Sequence, residues 1–203
     1  MAISTYAELQ TAVENWLDRS DVDSRIPEFI AVAESRINRK LRCREQEAEA
    51  SVTVTVGART AALPSDFAEV RRFYIDGSPV RFLEFMSPQD YWARYTSTNQ
   101  GNPSVFTIEG TNLVIGPVPN SSNTGKLQYY RNLPALSSSA HGLFTANPDL
   151  YLYGSLTAAE PFLKNDKRVV MWKSFFEEIL QELETQTRKV AGPMRIRDDS
   201  NPY

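Results

Sequence analysis

Hydrophobic positions along this chain follow helical spacing, then strand alternation, then helical spacing again. From Tyr6 to Asp18 the apolar residues Leu9, Ala12, Val13, Trp16 and Leu17 lie on one helical face. Thr5 and Glu8 just ahead of them have the spacing of a capping box. Arg19 to Ser24 is a polar break. Pro27 suits the first turn of a second helix, whose stripe is Phe29, Ile30, Ala33, Ile37 and Leu41. The last turns of that helix carry Arg36, Arg39, Lys40, Arg42 and Arg44, cations that a helix C-terminus favours.

Beyond this cluster the period falls to two. Ala50, Val52, Val54 and Val56 alternate with Ser51, Thr53 and Thr55, the pattern of a half-buried strand. Further short strands are expected at Thr60 to Leu63, Val70 to Ile75 and Val80 to Phe85, with Asp76-Gly77 as a hairpin turn. Ser87-Pro88 opens a short helix through about Tyr95. Ser104 to Glu109 and Leu113 to Val118 form a second hairpin around Gly110, and Leu127 to Leu133 is a last strand. Ser137-Ser138-Ser139 and Gly142 mark a flexible connection.

Asn147-Pro148 then caps a third helix with Leu150, Tyr153, Leu156 and Ala159 on one face, kinked by Pro161. Asn165-Asp166 turns into a last helix with the stripe Val169, Trp172, Phe176, Ile179, Leu180 and Leu183, stopped at Gly192-Pro193. Two distant helical pairs, each with one apolar face, bury those faces best against each other. The pattern predicts an α+β fold: an antiparallel helical bundle from both chain ends (1–47 and 145–192), with an antiparallel β domain, a small sandwich or barrel, inserted at 48–144. An extended C-terminal tail, 193–203, follows.

Composition changes this picture little. At 203 residues, with 41% hydrophobic and 23% charged residues, the chain can bury a substantial core. A net charge of −3 offers no field that would hold nucleic acid tightly. No apolar run approaches the ~20 residues that span a bilayer, and Met1 to Thr5 has no signal-peptide character. The single cysteine, Cys43, excludes an internal disulfide and fits synthesis in a reducing cytoplasm.

Chemistry is harder to find. His141, the only histidine, is expected to lie exposed in the Ser/Gly-rich connection with nothing to fix it. Gly154-Ser155-Leu156-Thr157 lacks the second glycine of a nucleophile elbow. Cys43 beside basic residues could be an activated thiol but fits a small packing residue better. Asp18, Asp21 and Asp23 resemble the start of a calcium loop without its glycine. Glu45, Glu47 and Glu49 are expected as a solvated charge run rather than a glycosidase pair. No Gly-rich phosphate loop is present. The expectation is a protein that is not an enzyme and uses no metal or cofactor.

Two groups suit protein contact. Arg36, Arg39 and Lys40 belong to a basic run ending at Arg44 that lacks interleaved aromatics and is followed at once by Glu45, Glu47 and Glu49, which favours local pairing, or a subunit or tail interface, over phosphate binding. Tyr91, Trp92 and Tyr95 on the short helix could anchor an interface or cap the β core. The alternative reading is a β-domain binding module for glycan or peptide, using Tyr129, Tyr130 and the loop from Asn99 to Asn102.

Several stretches resemble the head-to-tail adaptor (connector) proteins of tailed bacteriophages, as in short-tailed phages. They are Thr5-Tyr6-Ala7-Glu8-Leu9, Trp16-Leu17 with Arg19-Ser20-Asp21, Ile26-Pro27-Glu28-Phe29-Ile30, and Ile37 to Arg42. The likeness resumes at Leu63-Pro64-Ser65-Asp66-Phe67, at Pro148 to Leu156, at Ala158 to Leu163 and at the Trp172 helix. The resemblance implies a virion protein at the head–tail junction, made in the bacterial cytoplasm. It would form a homo-oligomeric ring, a dodecamer, between the portal protein and the tail tube or nozzle. Genomic DNA would pass through that ring without sequence-specific binding, and no membrane is involved. The resemblance also implies that the C-terminal tail docks into the portal, with Met194, Arg195, Ile196, Arg197 and Tyr203 as anchors.

Overall fold

The computed structural model describes residues 3–163 and 167–190. The Asn165-Asp166 turn, the Gly192-Pro193 stop and the tail with Met194, Arg195, Ile196, Arg197 and Tyr203 lie outside the described residues. The fold is α+β, and the chain divides into two compact units. Both chain ends, Met1–Glu45 and Leu133–Tyr203, form one, and Gln46–Asn132 forms the other.

In the helical unit, α1 (Tyr6–Leu17) opens with the complete capping box. The Thr5 hydroxyl accepts from the Glu8 amide at 3.2 Å, and the Thr5 amide donates to the Glu8 carboxylate at 3.0 Å. Asp18 closes the helix in the left-handed conformation at φ 52°. The polar break is itself a 3-10 turn, Ser20–Arg25, leading straight into α2 (Ile26–Lys40) with Pro27 in the first turn.

The third long segment differs from expectation in three ways. A short helix α4 (Gly142–Ala146) forms where a flexible connection is predicted, and α5 (Pro148–Ala158) follows it. Asn147 does not cap α5 through its side chain; its amide donates back to the Leu143 carbonyl. Pro161 does not kink α5, because α5 ends at Ala158 and the proline sits in the separate 3-10 turn Glu160–Phe162. Nearly all of α5 is buried, including Leu150, Tyr151, Leu152, Gly154, Ser155 and Leu156. A helix apolar on every side must be surrounded. α5 accordingly packs against α1, α2 and α6 (Arg168–Val190), and is the axis of the unit. From α6, Val169, Trp172, Phe176, Leu180 and Leu183 enter the core.

Leu133, Leu136, Leu143 and Phe144, read from sequence as part of the insert, join this helical core. Side chains of α2 hold the connection there. Asn38 donates to the Leu133 carbonyl at 3.2 Å and accepts from the Leu133 amide at 2.9 Å. Glu34 accepts from the Leu136 amide at 2.6 Å.

The other unit is built on nine short strands: β1 (Glu47–Val54), β2 (Thr60–Ala62), β3 (Phe67–Ile75), β4 (Arg81–Phe85), β5 (Gln100–Gly101), β6 (Val105–Glu109), β7 (Asn112–Gly116), β8 (Val118–Pro119) and β9 (Asn123–Arg131). Seven make one nearly barrel-shaped sheet in the order β1-β9-β3-β4-β6-β7-β2, antiparallel except for β4 and β6. Its two outer strands, β1 and β2, approach each other, so the curled sheet nearly closes. β5 and β8 form a separate parallel pair.

The β6–β7 hairpin turns at Gly110, where a φ of 58° suits a residue without a Cβ. The β3–β4 connection is longer than the Asp76-Gly77 turn expected and contains a cis Ser78–Pro79 bond. Inside the barrel, Val52, Val54, Phe73, Ile75, Leu83, Phe106, Leu113, Ile115, Leu127 and Tyr129 form one core.

Candidate functional site

Three surfaces carry the residues that sequence reasoning singled out. The first is a groove of 540 Å³ in the helical unit, formed by the last turns of α2, the end of α5 and the outer flank of α6. Arg36, Arg39 and Lys40 line it from α2, and Lys173 comes from α6. Phe176 and Thr157 form the floor, while Glu160 and Glu177 sit at the edges. Arg39 donates to the Ser35 carbonyl of its own helix at 3.2 Å. Among the described residues, none of the four cations has an ion-pair partner within 4.0 Å. Four cations against two carboxylates leave the groove net positive. The sequence singles out the α2 contribution but not Lys173, because nothing local links Lys173 to α2.

The second surface is the short helix α3 (Pro88–Arg94), capped by Ser87, whose hydroxyl accepts from the Asp90 amide at 3.2 Å. Its three aromatics separate. Tyr91 is fully buried over Val105 and Val114, and its hydroxyl donates to the Ile115 carbonyl at 2.8 Å, so it offers no surface. Tyr95 packs beside it, half-buried. Only Trp92, 42% exposed, faces outward. The Arg59 guanidinium covers one face of its ring at 5.2 Å, and its indole N–H donates to Glu109.

The third is the outer face of the barrel. Glu47 pairs with Arg71 at 2.5 Å, while Glu49 accepts from Gln128 and Tyr74 at 3.1 and 3.3 Å. These acids are rungs of exposed cross-strand ladders. Tyr129, offered as a glycan contact, is instead buried, and its hydroxyl donates to Asp66 at 2.9 Å. Burial and that bond push the hydroxyl up to about 12. Tyr130 is half-buried under the Arg71 guanidinium. Strand alternation puts the two tyrosines on opposite faces, which their adjacency in sequence obscures.

His141 also departs from expectation. It is half-buried and caps α4, its Nδ1 accepting from the Phe144 amide at 3.5 Å. Its Nε2 lies 3.4 Å from the Tyr151 hydroxyl, so the imidazole is held by helix architecture. Burial, with Glu34 and Cys43 nearby, pushes the Tyr151 hydroxyl up. Cys43 is buried in the helical core, consistent with a packing role. Among the described residues, no three His, Cys, Asp or Glu side chains cluster as metal ligands, and no helix is long and apolar enough to cross a membrane.

The described residues thus form two compact units, one helical and one of β-strands, each presenting charged and aromatic side chains at its surface. The chain belongs to the SU10 adaptor protein family, whose model matches residues 4–197. This is a family of phage head-to-tail adaptors, which associate with portal and tail proteins. No curated protein matches the chain.

Proposed function

We propose that this adaptor works as a homo-oligomeric ring, a dodecamer, seated between the portal protein and the tail tube or nozzle of the virion. The ring extends the channel through which genomic DNA leaves the head. Its work is geometric: interfaces hold the ring, and no bond is made or broken. The observation that carries this reading is the family match across residues 4–197, which takes in both units. A net charge of −3 supports it, because a conduit that bound phosphates tightly would stall the DNA. The segment 193–203 docks on the portal through Met194, Arg195, Ile196, Arg197 and Tyr203. Arg36, Arg39, Lys40 and Trp92 supply subunit or tail contacts.

Native mass spectrometry of the protein, alone and with its portal protein, tests this reading. The expected result is a stoichiometric complex that deletion of residues 193–203 abolishes. A protein that stays monomeric and ignores the portal at every salt concentration would refute it.

A further inference from the structure

The basic groove has a counterpart on the same helix. At 3.6 residues per turn, Met171, Phe175, Glu178 and Glu182 of α6 fall within an arc of about 60°. All four are exposed, Met171 by 47% and Phe175 by 37%. Their arc is centred about 150° around the helix from Lys173 and Glu177 in the groove. α6 therefore carries a cationic groove on one flank and an acidic, apolar ridge on the other.

The ridge is built, not incidental. Phe175 packs on Tyr153 at 5.2 Å, and Tyr153 meets the 43% exposed Trp16 edge-on at 5.8 Å. An aromatic shelf from three helices thus supports the ridge. Among the described residues, Glu178 and Glu182 have no ion-pair partner within 4.0 Å. One helical turn apart, they offer two carboxylates to a groove with an excess of cations. Met171 and Phe175 offer apolar surface to the aliphatic stems of Arg39, Lys40 and Lys173. Duplex DNA suits the groove less well, because Glu160 and Glu177 at its edges would oppose a continuous line of phosphates.

We propose that the Met171/Phe175/Glu178/Glu182 ridge of one copy seats in the Arg36/Arg39/Lys40/Lys173 groove of the next. The inference rests on the ring reading above and names the surfaces that would build the ring. Two different patches on opposite flanks of one helix make a head-to-tail contact, and repetition of such a contact closes into a ring when the rotation allows. Charge complementarity sets the register, and like charges at either patch reject a wrong one.

The test uses two full-length variants, Lys40→Glu/Lys173→Glu in the groove and Glu178→Lys/Glu182→Lys on the ridge. All four side chains are exposed, and thermal melts confirm that each variant folds. Native mass spectrometry and sedimentation follow assembly, with and without the portal protein. Each variant alone should self-associate about 100-fold or more weakly than wild type. An equimolar mixture should restore rings of even copy number, since each reversed patch then meets its complement. If wild type assembles and either variant assembles equally well, these surfaces are not the contact, while the ring reading stands. Folded variants that stay monomeric even when mixed also overturn the pairing. A wild-type protein that never assembles removes the ring reading and this inference together.

Discussion

Gly125 lies in β9, between Val52 of β1 and Ile75 of β3, where a residue with a side chain would ordinarily make the better strand. The space a side chain would take is already filled. A Cβ at this position would meet Cε2 and Cζ of Phe73 at 2.6 Å and the Val52 carbonyl at 3.3 Å. Relief requires the ring to move by about 1 Å, since ordinary carbon contacts lie near 3.5–4.0 Å. Phe73 is fully buried and packs edge-on against Phe106 at 5.5 Å, so it has no free direction. Overpacking of this kind costs about 1–3 kcal/mol, and disturbing the aromatic pair up to about 1 kcal/mol more. Loss of glycine's unfolded-state freedom returns about 0.5–1 kcal/mol. Gly125→Ala should therefore destabilise the β unit by about 2 kcal/mol, despite improving strand propensity.

Hydrogen exchange read by mass spectrometry isolates that unit. Amides of β9 and β3 should exchange about 30-fold faster, at 1.4 kcal/mol per decade, while α5 and α6 are unchanged. Phe73→Leu removes the obstructing ring edge, so Gly125→Ala should cost markedly less in that background. Unchanged or slower β9 exchange in Gly125→Ala, or the same cost in both backgrounds, would refute the reasoning.

Three further effects follow from the same structure. Burial raises the Glu34 carboxyl above its usual value of 4.5, against the bond from the Leu136 amide. A folded value above the unfolded one means that Glu34's stabilising contribution is full below about 4.5 and is lost as pH rises through the folded value. Glu34→Gln, which keeps the acceptor for Leu136, should flatten this slope in thermal melts between pH 4 and 7. Thr5→Ala removes the acceptor for the Glu8 amide and should cost about 1 kcal/mol in urea titration, with the denaturant slope unchanged. Tyr91→Phe leaves the buried Ile115 carbonyl without its hydroxyl donor and should cost about 1–2 kcal/mol, seen as faster exchange in β6 and β7.

Backbone periodicity and capping chemistry are local, and they are what the amino-acid order by itself determined. The Thr5/Glu8 box, Pro27 at the start of α2, the Ser87 cap and the Gly110 hairpin each depend on residues a few positions apart. The apolar stripes of α1, α2 and α6 are legible for the same reason, and with them the α+β class. Burial all around α5 was partly legible in its apolar run, although one-face reading missed it.

Tertiary structure alone decided what depends on distant partners. β9 lies between β1 and β3, and β4 runs parallel to β6, because side chains far apart in sequence fit there. Tyr129 and Tyr130 look equivalent in the chain, yet the pleat buries one and leaves the other half-exposed. His141 is held by Phe144 and Tyr151, contacts that a Ser/Gly-rich neighbourhood does not advertise. The basic groove exists because α5 brings the end of α2 and one flank of α6 together, placing Lys173 beside residues more than 130 positions earlier. Local spacing can place a side chain on a face, but only the folded packing determines what that face meets.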